Sequence, residues 1–459
     1  MERIGFTLVF DNDKVVNGAE SQHVINDYIT HLPVGFTYSP KNSDSVHFYY
    51  RVVNIDQYST NTKEFGLFTI KPISLSNVGN KDTFLDSSSA SIINSISHKA
   101  RNLIKDPKSG LHLLIDYSME GWELAKPIHD WNGIKFFNFL FNIVGIPNHK
   151  VIFIHGNLNK NSNTYINTGL DKNNILNVNI FESIACANAK GYDSKSSPEV
   201  KFSTTPTKKF VFKNNHMNPH RLFFIDHLNS VGGLEQAHWS MVQCLPHFPD
   251  NYKGFWFDKY YENDYQASLA AKRIENLQKN GPYLIDVPND VDNKSRFSWE
   301  WGYRVGSEIY YDSLFSLVSE TTMDELNNEL LFVTEKTFIP MTKLHPFLIL
   351  GCYNTLSYLK DIGYKTFPEL FDESYDQEKH FLERAHKIKQ NLDRILKTPI
   401  SELEKVFKTP SVYEKLIHNQ DRIYTYQQRM HEISNTNLLV SLALFLLEIK
   451  KKYDEKTSF

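Results

Sequence analysis

Two kinds of hydrophobic pattern succeed one another along this chain. Up to about residue 95, short runs rich in Phe, Tyr, Val and Thr, such as GFTLVF, HFYYRVVNI and FGLFTIKPI, are separated by turn residues and predict a mainly β-stranded portion. From residue 96 the pattern alternates: helix-like SASIINSISHKARNLI, apolar LHLLIDYS, amphipathic FFNFLFNIVG, then KVIFIHGN and ILNVNIFES. Strands alternating with helices predict a first Rossmann-like α/β domain over 96–190. The polar stretch Ala189 to Lys208, with clustered Ser, Lys, Thr and Pro, reads as the linker to a second one.

That second domain, over 208–378, opens with the strand-like Phe210 to Phe212, and Pro219 suits a first helical turn. Ser313 to Phe367 reads strand, helix, strand, helix, strand. The run Leu314 to Val318 is short enough for a buried parallel strand and stops at Ser319 and Glu320. Thr334 stands at an N-cap position, with Glu335 and Lys336 in the first turn and Phe338, Met341 and Leu344 as a buried stripe. Pro346 to Leu350 is the next apolar run. Asn354 or Thr355 would cap a helix that buries Leu356, Leu359 and Ile362 and ends at Gly363. From Lys379 the chain turns helical and charged, a C-terminal extension over 379–459 in which Leu438 to Leu447 is the candidate for a helix crossing back to the first domain.

At 459 residues with 41% hydrophobic and 14% aromatic content, the chain has material for two or three cores. A formal charge of −3 argues against broad nucleic-acid binding. Cys186, Cys244 and Cys352 are far apart and lack zinc-ligand spacing, which suits free thiols in a reducing compartment. MERIGFTLVFDND has no apolar signal-peptide core, and no apolar stretch is long enough to span a bilayer, so a cytoplasmic location is expected. Abundant Asn, Lys and Ser fits an AT-rich coding source such as a virus, and the location would then be the host cytoplasm.

Parallel α/β sheets bind ligands outside the carboxyl ends of their strands. A helix start there offers unpaired N–H groups and partial positive charge to an anion such as a diphosphate. Lys336 would add a full charge, and the acceptor-only Glu335 suits ribose hydroxyls. The alternative is that Glu335 complements the helix dipole and Lys336 is simply solvated. His220 and Arg221 would point from their own helix start toward the same crevice, with Arg221 suited to oxyanions and the Asn side chains of Asn214 to Asn218 to sugar or base edges.

VTEKTF followed by an apolar strand and Gly resembles the donor-binding signature of the fucosyltransferase-like glycosyltransferases of the GT-B fold. Four segments also resemble, in order, a phage and bacterial glycosyltransferase-like family: Asn214 to Arg221, the Ser-containing helix LEQAHWSM at Leu234 to Met241, Thr334 to Phe338, and Asp372 to Asp376. The chain departs from that family in having asparagines where arginines are common in the first loop. The resemblance implies two Rossmann-like domains facing a cleft and a donor site built from Asn214, His220, Arg221, Glu320, Thr334, Glu335 and Lys336. It also implies a nucleoside-diphosphate sugar, GDP- or UDP-linked, as donor substrate, with no cofactor required. The acceptor would be a glycan or protein, or a modified DNA base.

A catalytic base in such an enzyme usually comes from the first domain. Asp116 and Glu120, just past the apolar run Leu111 to Ile115, are the candidates, and His155 with Asn157 form a comparable second site. Asp116 capping a turn and Glu120 in solvent is the alternative. Asp11-Asn-Asp13 and Asp290-Val-Asp292 have metal-binding spacing but sit in turn-like sequence, so no metal is expected. A degenerate GT-B-like virion or carbohydrate-binding protein is the competing function. Phosphoryl transfer ranks last, since no Walker loop is present.

Overall fold

The computed structural model describes residues 2–10, 35–38, 46–58, 65–70, 96–117, 133–159, 167–191, 195–215, 218–241, 258–285, 306–323, 330–426 and 447–448. Glu120, His216, Cys244, both Asp-x-Asp pairs and nearly all of Leu438 to Ile449 lie outside them. The chain divides into two compact units, Met1–Ile180 with Gln428–Phe459, and Phe181–Gln427.

Unit one holds a seven-stranded sheet in the order β2-β3-β1-β4-β5-β6-β7. Its strands are β1 (Glu2–Phe10), β2 (Gly35–Tyr38), β3 (Val46–Asn54), β4 (Phe65–Ile70), β5 (Leu111–Tyr117), β6 (Val151–His155) and β7 (Ile175–Asn177). Every pairing is parallel except β2 with β3. The expected division near residue 95 therefore does not exist. β1 lies between β3 and β4 and buries Phe6, Thr7, Leu8 and Val9 in succession, as a central parallel strand does. Helix α1 (His98–Lys105) is capped by Ser97, whose hydroxyl accepts from Ala100 N. Helix α2 (Gly133–Asn138) runs into a π-helical turn, Phe139–Ile143, and buries Phe136, Phe137 and Leu140 in the core under β5 and β6.

Unit two begins with α3 (Phe181–Gly191) and α4 (Pro198–Ser203), so the segment expected to be a linker is part of a core. Within it Lys201 is buried, as is Glu182 just before it. The Glu182 carboxylate accepts from Tyr364 Oη at 2.6 Å, and Lys201 Nζ donates to the carbonyls of Tyr310 and Ser313. The four-stranded sheet, β11-β10-β8-β9, is parallel throughout. Its strands are β8 (Lys208–Phe212), β9 (Ala237–Trp239), β10 (Ser313–Ser319) and β11 (Phe347–Leu350). The expected helix at Leu234 to Met241 is instead a 3-10 turn followed by β9, because Ala237 to Trp239 pair with Phe210 to Phe212.

The remaining helices of unit two are α5 (Pro219–Ser230), α6 (Asp264–Lys279), α7 (Glu308–Tyr311), α8 (Glu335–Thr342), α9 (Thr355–Asp361), α10 (Phe381–Lys397), α11 (Ile400–Phe407) and α12 (Pro410–Tyr424). The strand expected near Phe367 does not form. Gly363, at φ +88°, ends α9, and Asn419 on α12 then takes both main-chain groups of Lys365, each at 2.8 Å, where a neighbouring strand would have done so. The helices after residue 379 are likewise not an appendage. Lys209 Nζ caps the last carbonyls of α10 at Ile395 and Leu396, Phe407 packs on Phe315, and Gln420 donates to Thr342 O.

Candidate functional site at the carboxyl edge of the second sheet

The apolar strand β10 ends at Ser319, and the next residue, Glu320, is fully buried. Its carboxylate is the hub of this edge. Oε2 accepts from Thr334 Oγ1 at 2.6 Å and Thr321 N at 3.3 Å, and Oε1 accepts from Thr337 Oγ1 at 2.5 Å and Thr334 N at 3.1 Å. Thr334 is the N-cap of α8, and its hydroxyl oxygen also receives Lys336 N. The buried carboxylate thus fixes the start of α8 through the cap residue itself.

Lys336 Nζ lies 2.7 Å from Glu335 Oε1 and within 3.4 Å of Thr334 Oγ1 and Thr321 Oγ1. Its side chain is 31% exposed and that of Glu335 14%. Burial pushes the Glu335 carboxyl up, but the Lys336 ammonium, its hydrogen bond and the Arg221 guanidinium outweigh burial and hold it below the ordinary carboxylate range. The edge therefore presents an ion pair with the cation at the more open end, above a helix N-terminus.

The first turn of α5 is tied to the same strand end. Arg221 is buried, with Nε donating to Ser319 Oγ at 3.2 Å and Nη2 to Glu320 O at 2.8 Å, and Asn218 Nδ2 donates to Thr321 O. His220 Nε2 donates to Glu320 O at 3.0 Å. The Arg221 guanidinium is thus engaged with the main chain at the end of β10. Asn214, after β8, is buried, and its N–H donates to Ser240 Oγ at 3.0 Å.

Burial, reinforced by Arg221 and Lys336, lowers His220 to about 3 against the pull of its carbonyl partner. Burial also depresses His345 well below 6.5. Between pH 6.5 and 3 the unfolded chain therefore binds protons that folded His220 refuses, and stability falls as pH falls. His220→Gln, which keeps an N–H donor for Glu320 O, removes that sensitivity. From pH 7 to pH 5 the wild type should lose about 2 kcal/mol more than the variant. Urea denaturation at both pH values measures this, and parallel losses would contradict it.

In unit one, Asp116 is buried in β5 opposite Ile154 and one residue from its end, and His155 ends β6 opposite Tyr117. Alternation along the strands puts Asp116 and His155 on opposite faces, and His155 stacks on Tyr117 at 5.8 Å. Asn157 N donates to His155 Nδ1 at 3.2 Å, which leaves the proton of a neutral ring on Nε2.

No family model matches the chain, and no curated protein matches its sequence. Among solved structures, it is similar to an alpha,alpha-trehalose-phosphate synthase (UDP-forming) from Burkholderia vietnamiensis, with 9% identity and a TM-score of 0.34 over 94% of this chain and 99% of that one. It is also similar to an alpha,alpha-trehalose 6-phosphate synthase from Burkholderia multivorans, with 9% identity and a TM-score of 0.39 over 100% and 98%. At these scores the likeness carries no argument about chemistry.

Three residues that shape the edge escaped sequence reasoning in their roles. Thr337 completes the Glu320 hub, and its only trace in the sequence is a second Thr three residues after the cap. Asp376 caps α9, accepting from Leu356 N at 2.7 Å and Ser357 N at 3.0 Å. Asn354, one of the two expected caps, does stand at the N-cap position, but it is left-handed at φ 65° and makes no side-chain cap bond. Arg384 reaches from α10 to Gly351 O at 3.1 Å, beneath the end of β11. Among the described residues no group of His, Cys, Asp and Glu could hold a metal, and no helix is long and apolar enough to cross a membrane.

Proposed function

We propose that the chain is a nucleotide-sugar-dependent glycosyltransferase whose second unit binds the donor at this edge. The observation that supports the reading is the braced start of α8, where the Lys336 ammonium stands at a helix N-terminus beside the carboxyl end of a parallel strand. A diphosphate there draws the ammonium from Glu335, and the freed carboxylate accepts from ribose hydroxyls. Lys336 and the helix dipole then offset the charge that develops on the departing diphosphate, so the reading needs no metal. Asp116, or Glu120 beyond it, would take the proton of the acceptor hydroxyl. The carrier is GDP or UDP, and the acceptor is a glycan, a protein or a modified DNA base.

Thermal unfolding in the presence of GDP, UDP and their sugar conjugates tests this. One nucleotide at a hundredfold excess over Kd should raise Tm by roughly 5 °C or more. Lys336→Ala should weaken that nucleotide about tenfold or more while leaving the ligand-free Tm within a few degrees, since the side chain is partly exposed. Absence of any shift in the wild type would end the donor reading. Binding without turnover would favour a carbohydrate-binding protein.

A further inference from the structure

Asn214 is 3% exposed, yet among the described residues neither Oδ1 nor Nδ2 of its carboxamide has a hydrogen-bond partner, and Oδ1 of the adjacent Asn215 has none either. The backbone beneath is held firmly. Asn214 N donates to Ser240 Oγ at 3.0 Å, Ser240 Oγ returns a bond to Asn214 O at 3.4 Å, and Ser240 N donates to Phe212 O at 3.0 Å. A carboxamide can take part in several bonds, and burying one with none is costly enough that folded proteins seldom do it without a use. Its place gives the use. Val211 stands opposite Ser316 in the β8–β10 pairing, and Asn214 is the second residue past the end of β8, at the same carboxyl edge of the sheet as Glu320.

We propose that Asn214 is the specificity fork of the donor site, an inference that rests on the glycosyltransferase reading. Its amide offers an acceptor and a donor side by side, and the matching ligand group has a donor next to an acceptor. A nucleobase edge presents such a pair, and so do neighbouring hydroxyls of the transferred sugar. Among the described residues the fork has no protein partner because the ligand completes it. Ligand-free protein therefore carries an unmet polar pair that an apolar side chain of the same size would remove.

Calorimetric titration of wild type, Asn214→Leu, Asn214→Asp and Lys336→Ala with GDP, UDP and a hexose conjugate of each tests the proposal. Both Asn214 variants should bind the preferred ligand about tenfold more weakly or worse. Ligand-free Asn214→Leu should unfold at the wild-type temperature or above it. A loss already seen with the bare nucleoside diphosphate assigns the fork to the base. A loss seen only with the hexose conjugate assigns it to the sugar. If both variants bind like wild type while Lys336→Ala does not, the fork is refuted and the donor site stands. If wild type binds none of these ligands, both fall. Should Asn214→Leu fail to fold, the near-isosteric Asn214→Asp decides alone.

Discussion

Glu320→Ala should destabilise unit two by about 3–5 kcal/mol, lowering its Tm by roughly 10 °C. The carboxylate is fully buried and receives Thr334 N, Thr334 Oγ1, Thr337 Oγ1 and Thr321 N. Removing it strands the two buried threonine hydroxyls and the Thr334 N–H in a cavity, and each unmet donor costs about 1–3 kcal/mol before any relaxation. Glu320→Gln should cost less, because the hydroxyls can rotate to donate to the remaining oxygen and accept from the new amide. Urea unfolding of the three proteins tests the order wild type, Gln, Ala. A loss under about 1 kcal/mol for Ala would mean that the hub is not structural. Because Thr334 caps α8, the alanine variant should also lose its response to nucleotide at temperatures where it remains folded.

A comparable loss, about 3–5 kcal/mol, is expected for Arg384→Ala. Its guanidinium is almost completely buried and its donors go to main-chain carbonyls: Gly351 at 3.1 Å, Glu378 at 2.6 Å, Lys379 at 3.4 Å, and Met323. These come from separate segments on either side of the sheet edge, so one side chain fastens the loop after β10 to the end of β11. Truncation leaves carbonyls unmet and opens a cavity at once. Arg384→Lys should recover less than half of the loss, since a single ammonium cannot reproduce a planar fork spread over these acceptors. Thermal unfolding of both variants decides; full rescue by lysine would show that charge alone matters there.

The start of α8 was legible from sequence because its signals are local. Thr334 at the cap, two charged residues in the first turn and buried Phe338 and Met341 are read within one short window, and the structure places these as expected; Leu344 is buried too but lies past the end of α8, at φ 54°. The strand β10 was legible for the same reason. The cap of α9 was not, because Asp376 stands 20 residues from Leu356, whose N–H it accepts, and no pattern around Asn354 reveals it. The Ala189 to Lys208 stretch misleads because its polarity does not mean exposure. Lys201 is 5% exposed, held by carbonyls more than a hundred residues away in sequence. Arg221 is similar: nothing near it in sequence reveals that its guanidinium donates to the carbonyls of Ser319 and Glu320.

By itself the amino-acid sequence determined that two α/β portions exist, where the second parallel sheet lies, and that its edge carries Glu335 and Lys336 at a helix start. These follow from periodicity and capping, which act over a few residues. The tertiary structure alone decided that the strands before residue 95 share a sheet with β5, β6 and β7, that Tyr364 to Phe367 is no strand, and that Glu320 and Arg384 brace the edge. It also left the Asn214 carboxamide buried with no partner among the described residues. The reason is common to all of them. Strand neighbours and the partners of buried polar groups are chosen in three dimensions, by which donors and acceptors remain unmet when the core closes.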